Sequence, residues 1–499
     1  MLKIPRFKLT ALALTAVLAA SAVMGCSGGT QGSADETSLV FTDSGITANN
    51  GAYTDYVAEG TNLTINGSGT YVVSGSCSDG TIKIEAGTEG VTLVLNGIDL
   101  TSGDTAAIVC GKSTEVNIEV KDGTENTLTD SAENNDDNYP DNTNAENAVI
   151  KCKDGSEVTI SGGGTLNINA NGKNGIKSGA TTDEEGEASL TVKEAVVNII
   201  SENDGMNAEQ LLNIESGSLS VSAVDDGVHC DYIMNIGADG TDGPVIDIAE
   251  CNEGLEAATL NIYSGDIKIN AEDDCINAAN KNLSDYEFSV TISGGTLYMY
   301  SATGDGIDSN GDINITGGTT EVWTANSADN SPIDADGEAT ITGGTILGGG
   351  GSAGVGGLSI TAEQNYVVFG SNRGFDPKGG EKPELPEGMA EGERPEIPEN
   401  NGEGMPEFGV QGNTFASAGN AIAIKDTGGN TVFEATAPCD VGYVFFSSAE
   451  LKDGASYSLI SEGTEQVTTE AGKEAVTKGF NKPNGEMPVK KPENDGEEK

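Results

Sequence analysis

One pentapeptide pattern, acidic–Gly–apolar–polar–small, keeps returning along the middle of this chain. It reads Asp204-Gly205-Met206-Asn207-Ala208, then Asp226-Gly227-Val228-His229-Cys230, then Glu253-Gly254-Leu255-Glu256-Ala257. It continues as Asp274-Cys275-Ile276-Asn277-Ala278 and Asp305-Gly306-Ile307-Asp308-Ser309. Weaker copies flank these at Asn174-Gly175-Ile176-Lys177-Ser178 and Ser331-Pro332-Ile333-Asp334-Ala335. Successive central positions are 30, 22, 27, 21, 31 and 26 residues apart. One motif returning at a base period of about 21–22 residues, with insertions, marks a solenoid built from one coil per repeat.

Each period also holds two alternating runs, such as Leu212-Asn213-Ile214 and Leu219-Ser220-Val221, joined by a Gly corner at Ser216-Gly217. Apolar and polar residues in strict alternation predict strands with one buried face. Glycine at the corner permits a tight bend. Three short strands per coil make an all-β parallel β-helix. A β-sandwich would supply short strands and turns but would not repeat one motif at this period. The surplus residues at 181–187, 238–243 and 280–287 are expected to loop out from one edge of the stack.

Composition narrows the partners. Lys+Arg number 25 against 79 Asp+Glu, a formal net charge of −54. That balance argues against nucleic acid and anionic lipid surfaces and favours cations. Lys3, Arg6 and Lys8 precede the apolar run 9–20, the pattern of an export signal that is cleaved after delivery. The signal ends in Val23-Met24-Gly25-Cys26, which resembles a bacterial lipobox, so Cys26 is the expected lipidated residue. The remaining cysteines, at 77, 110, 152, 230, 251, 275 and 439, are odd in number and show no CxxC spacing, which argues against a disulfide framework or a zinc site.

The expected organisation is a signal peptide over 1–26, a flexible spacer over 27–40 and a β-helix over 41–375. A disordered acidic Pro/Glu insertion follows over 376–412, then C-terminal strands over 413–466 and a disordered tail over 467–499.

Several runs outside the pentapeptides carry a resemblance. They are Asn96-Gly97-Ile98-Asp99-Leu100-Thr101, Glu125-Asn126-Thr127-Leu128-Thr129-Asp130, Asn147-Ala148-Val149-Ile150 and Ser161-Gly162-Gly163-Gly164-Thr165-Leu166. With the repeats in this order, the chain resembles bacterial carbohydrate-binding surface lipoproteins of the β-helical, pectate-binding kind, over residues 39–370 and 413–460. The resemblance implies a right-handed parallel β-helix, calcium sites and affinity for plant polysaccharides, notably polygalacturonate or a cellulose-like chain. It carries no defined catalytic set. The sequence departs from the pattern at Glu253, Cys275 and Ser331, which weakens the acidic column there.

Stacked coils lie about 4.8 Å apart and turn each repeat position into a column. The residue before the Gly gives Asn174, Asp204, Asp226, Glu253, Asp274 and Asp305, with Asp225 and Asp273 just ahead in their coils. Two positions after the Gly, a second outward column runs Lys177, Asn207, His229, Glu256, Asn277, Asp308, Asp334. Like charges this close repel unless a cation sits between them. Calcium suits such a place, because it takes six to eight oxygen ligands. The candidate metal ligands are therefore Asp204, Asp225, Asp226, Glu253, Asp273, Asp274, Asp305 and Asp308. The plainer reading is that Asp-Gly is good turn chemistry.

A third column is aromatic. Aligning Leu297-Tyr298-Met299-Tyr300 with Thr320-Glu321-Val322-Trp323 sets Tyr300 beside Trp323, with Tyr298, Tyr300 and the sole Trp pointing out of the coil. Exposed aromatics can stack on the C–H faces of sugars; the same column could equally be a ladder that stiffens the solenoid. Lys268 falls beside Tyr298 one coil earlier and is a candidate partner for a uronate carboxylate.

Three functions fit these residues: calcium-dependent, non-catalytic binding of an acidic plant polysaccharide; a polysaccharide lyase or hydrolase on the same scaffold; and a structural surface protein or adhesin. A lysine such as Lys177 or Lys268 would have to serve as the base of a lyase. Asp225-Asp226 followed by His229, the only histidine, is a faint echo of a hydrolase.

Overall fold

The computed structural model describes residues 35–179, 188–283, 285–325, 330–351, 360–370 and 414–473. Among them there is no helix, and strands gather into one 35-stranded, mostly parallel sheet and one four-stranded sheet. The large sheet resolves into three parallel ladders, because the chain returns to each ladder after visiting the other two. In one, Glu157–Ser161, Ser189–Val192, Leu211–Ile214 and the second half of Val228–Ile236 lie side by side. In the next, Thr165–Ala170 pairs with Val196–Ser201, then Ser218–Ala223, then Val245–Glu250. The third holds the pentapeptides: Asn174–Ser178, Met206–Ala208, and the first parts of Val228–Ile236 and Leu255–Ile262. This connectivity is compatible with a solenoid. It also begins earlier than the regular repeats, since Asn62–Ile65, Thr81–Ile84 and Ile108–Cys110 already extend the third ladder.

The period-2 pattern dictates the core. Leu212 and Ile214, Leu219 and Val221, and Met206 and Ala208 point inward and are buried, with their alternates outside. The corner glycines Gly217, Gly295, Gly318 and Gly344 have φ of 88°, 86°, 76° and 87°, the left-handed region that side chains resist. The pentapeptide glycines serve a different need. A Cβ on Gly205 would lie 2.5 Å from both the Gly227 carbonyl oxygen and a Val221 methyl, so the strand is set too close to its neighbours for a side chain. All seven described cysteines are free and buried; Cys230 pairs with Ala208 in the ladder and packs as a small core residue.

The insertion before Ser289–Ile292 leaves the coil as expected, then folds back. Asn280 Nδ2 donates to the Asp231 carbonyl at 2.9 Å, and the Tyr286 ring meets Tyr232 edge-on at 6.1 Å. The spacer expected over 27–40 ends sooner, because Thr37–Thr42 is a strand that buries Leu39 and Phe41. The C-terminal strands likewise run past 466, to Glu470. The segment 376–412, Cys26 and the export signal lie outside the described residues.

The C-terminal part corrects one expectation. Trp323 does leave the coil opposite Val322 and does pair with Tyr300, but it is 0% exposed. It packs in a second core with Leu347, Phe369, Val441, Val444 and Phe446, and Tyr298 and Tyr300 lie half-buried at its margin. Tyr443–Ser448 supplies much of that cover by pairing antiparallel with both Thr345–Gly350 and Tyr366–Phe369. The antiparallel sheet of Ala421–Asp426, Thr431–Thr436, Ser456–Ser461 and Thr464–Glu470 adds Ile422, Ile424 and Leu459. The aromatic column is therefore a seam between the coils and the C-terminal strands. Trp323→Ala should cost about 3–5 kcal/mol in chemical denaturation and should strip hydrogen-exchange protection from 421–470 first. Lost glycan binding with unchanged stability would contradict this assignment.

Candidate functional site

The pentapeptide ladder positions the acidic side chains through its backbone. Gly205 N–H donates to the Asp226 carbonyl at 2.9 Å, Gly227 to Glu253 at 2.8 Å and Gly254 to Asp274 at 2.9 Å. Each acidic residue is thus held directly above the next.

Two all-oxygen clusters result. Asp204, Asp225 and Asp226 offer one carboxylate oxygen each within 4.8 Å of one another, as do Asp305, Asp308 and Asp334. Between them, Asp274 Oδ1 accepts the Asp305 amide at 2.6 Å, and Asn277 Nδ2 donates to Glu253 Oε2 at 2.9 Å. Asn277 is 9% exposed, yet among the described residues its Oδ1 has no hydrogen-bond partner. That amide sits in register with Asp308 on the following coil. A buried acceptor left unmatched beside carboxylates that are also only acceptors is a site short of positive charge. The donor set fits a hard, oxygen-seeking cation such as calcium.

The third cluster satisfies itself. His229 Nδ1 lies 2.6 Å from Glu256 Oε2 and 3.3 Å from Asp226 Oδ2, and its Nε2 lies 3.0 Å from Asp231 Oδ1. Burial pushes the imidazole toward neutrality, but the three carboxylates outweigh it and hold the ring well above the usual histidine range. Both ring nitrogens are taken by carboxylates, so His229 acts as an internal cation in the column. Asp231 and Asp334 were not among the metal candidates read from the repeats. Asp334 aligns two places after Pro332 and could have been added on that spacing; Asp231 sits beyond the repeat and carries no such signal.

The acids respond to this crowding. Burial first, and neighbouring carboxylates after it, push Asp226 and Glu253 up to about 7 and Asp274 up to about 8. The same causes raise Asp305 to about 7 and Asp308 to about 6. Burial raises Asp204 as well, against a 2.6 Å hydrogen bond from Asn207. Asp273 is half-buried next to Asp274. Away from this column, Lys268 is exposed and in register with Tyr298, whose next neighbour is Glu321. Glu321 accepts the Trp323 indole N–H at 2.7 Å.

A family model described as carbohydrate-binding domain-containing protein matches residues 59–347, more than half of the chain. The chain belongs to this carbohydrate-binding domain family. A relative from Acetivibrio thermocellus, also described as a carbohydrate-binding domain-containing protein, is 39% identical over 113 residues. That match covers 22% of this chain and 37% of the relative, about a third of its length. A solved structure described as the polysaccharide lyase-like protein from C. thermocellum, gadolinium derivative, is 25% identical with a TM-score of 0.40, covering 56% of this chain and 96% of that one.

The raised acids determine the pH response. Unfolded Asp and Glu titrate near 4. Between there and the folded values the native state binds more protons, so this contribution is full below about pH 4 and is lost as pH rises through the range 6 to 8. In chelator, the melting temperature should fall from pH 5 to pH 8. Calcium favours the ionised carboxylates, so its stabilisation should be largest at pH 8, about 2.7 kcal/mol at a hundredfold excess over the dissociation constant. Asp305→Asn with Asp308→Asn should flatten the slope. A chelated protein more stable at pH 8 than at pH 5 would be the opposite result.

Proposed function

We propose that residues 41–375 form a right-handed parallel β-helix that binds an acidic plant-type polysaccharide through calcium, at the bacterial cell surface and without cleaving it. The hand follows the rule that nearly all parallel crossovers are right-handed. The stacked carboxylates carry the reading, with the unmatched Asn277 Oδ1 among them. A chain of net charge −54 repels a polyanion. A calcium ion can accept oxygens from protein and uronate together and so turn that repulsion into a bridge. Coil spacing of about 4.8 Å would let successive sugars engage successive coils, so that many weak contacts act in series. Asp204, Asp225 and Asp226 would hold one ion; Asp305, Asp308 and Asp334, with Asn277, would hold another. Glu253, Asp273 and Asp274 line the space between.

With Trp323 covered, sugar stacking on the aromatic column is left to the half-exposed edges of Tyr298 and Tyr300, next to Lys268. The column of carboxylates, not the aromatics, is the primary contact.

A polysaccharide array run with calcium and with chelator tests the reading. Polygalacturonate should be retained only with calcium, and Asp305→Asn with Asp308→Asn should weaken retention at least about tenfold, the scale of one charge-assisted contact. Release of unsaturated or reducing oligosaccharides would make the protein a lyase or hydrolase. Retention of no glycan at all would leave the structural adhesin.

Anchoring is tested separately. With export and lipidation at Cys26, two acyl chains hold the protein to the membrane. Cys26→Ala should release it into the medium, and unchanged membrane association would end the lipobox reading.

A further inference from the structure

The outward column of the third ladder extends well beyond the acidic repeats. Read through the strand registers it runs Lys83, Val109, Lys151, Lys177, Asn207, His229, Glu256, Asn277, Asp308, Asp334. One line of side chains passes from lysine at one end to aspartate at the other. In a chain with 25 basic residues against 79 acidic ones, three lysines on one line are unusual; Lys83 is paired with Glu85 at 2.9 Å, and the other two stand together.

Lys151 and Lys177 are direct register partners, one above the other. Like charges in that relation destabilise a sheet unless something lies between them. The nearby acids favour the neighbouring lysines: Glu146 pairs with Lys153 at 2.5 Å, and Glu209 makes a long ion pair of 3.9 Å with Lys177, which leaves Lys151, among the described residues, as the unpaired member of the two. Lys151 is half-buried, and among the described residues its ammonium has no carboxylate within ion-pair distance and no hydrogen bond. Burial, and after it the charge of Lys177, lowers the pKa of the Lys151 amine. Among the described residues, no anion pairs with the Lys151 ammonium to offset its burial. On the preceding coils, Lys83 and Val109, with Glu146 and Lys153, line a groove of about 460 Å³. Val109 is the register neighbour of Lys151, so the groove opens onto the same line.

We propose that Lys151 and Lys177 form a subsite that binds a uronate carboxylate of the polysaccharide directly, with no bridging cation. The inference rests on the acidic-polysaccharide reading and gives it a direction. An oligouronate laid along the column would meet ammonium groups at one end and cation-bridged carboxylates at the other. From Lys177 to Asp308 is five register steps, roughly 24 Å at the usual strand spacing. His229, already neutralised by its three carboxylates, lies between the two ends and competes with neither.

The test compares affinities of the full chain for polygalacturonate and for its fully methyl-esterified form, in calcium. Lys151→Gln with Lys177→Gln should weaken polygalacturonate binding about tenfold, as expected for lost charge-assisted contacts. Neither the wild type nor the variant should hold the esterified polymer, because the ester removes the carboxylate that both the lysines and the bridging calcium read. Lys151→Arg with Lys177→Arg should stay close to the wild type, and equal melting temperatures would show that every variant is folded. Unchanged polygalacturonate affinity in the Gln variant overturns the subsite and leaves the acidic-polysaccharide reading standing. A wild-type protein that binds a neutral glucan and not polygalacturonate overturns that reading, and the subsite with it.

Discussion

Backbone stacking is the constraint from which the rest follows. The ladder amides place equivalent residues of neighbouring coils about 4.8 Å apart, so a residue type that enters one coil must tolerate its own kind in the next. Isoleucine and valine do so inside, where stacking buries them. Asparagine does so outside: Asn235 donates to Asn213 at 3.0 Å and Asn261 donates to Asn235 at 3.0 Å, because an amide carries both a donor and an acceptor. A carboxylate carries acceptors alone. A column of aspartates held in the same ladder cannot satisfy itself and must take up protons or cations. Along this chain the solution changes from coil to coil: an imidazolium at His229, amide donors at Asn207 and Asn277, and oxygen clusters suited to calcium at either side.

The same constraint explains the end of the stack. A parallel ladder exposes a full edge of amide and carbonyl groups, which invites pairing with another chain. Here Tyr443–Ser448 crosses that edge antiparallel to Thr345–Gly350 and closes it. Its side chains and those of the four-stranded sheet settle on Trp323 and Leu347. An outward aromatic column thus serves as the socket for a cap. The acidic column lies on a different ladder from this seam.

Much of this was readable from the repeats. Period-2 alternation determines which side of the coil each residue occupies, so the pairing of Tyr300 with Trp323 and of Lys268 with Tyr298 came directly from alignment. Burial of Trp323 did not, because Val441, Val444 and Phe446, which complete its cover, arrive more than a hundred positions later and share no period with it. The stacking of Asp204, Asp226, Glu253 and Asp274 was legible for the same reason as the aromatic register. The partners of His229 were only partly so: Glu256 lies in the repeat, whereas Asp231 reaches the ring from beyond it. Lys151 was missed because its coil has lost the acidic–Gly signature. The signal was present in another form, since Val149-Ile150-Lys151-Cys152 matches Gly175-Ile176-Lys177-Ser178 as small or apolar, apolar, lysine, small. Thr37–Thr42 was hidden by the polar residues around it, although Leu39 and Phe41 alternate as a buried strand requires.

The central claim is that the stacked carboxylates are a cation site and not a run of turn residues. The most direct measurement is a crystal structure of the protein grown with calcium near pH 8, with anomalous scattering collected for the ion. The account predicts a calcium peak coordinated by Asp305, Asp308 and Asp334, with the Asn277 amide oxygen turned toward it. Carboxylates in that cluster sharing protons, with water and no ion between them at millimolar calcium, would contradict it.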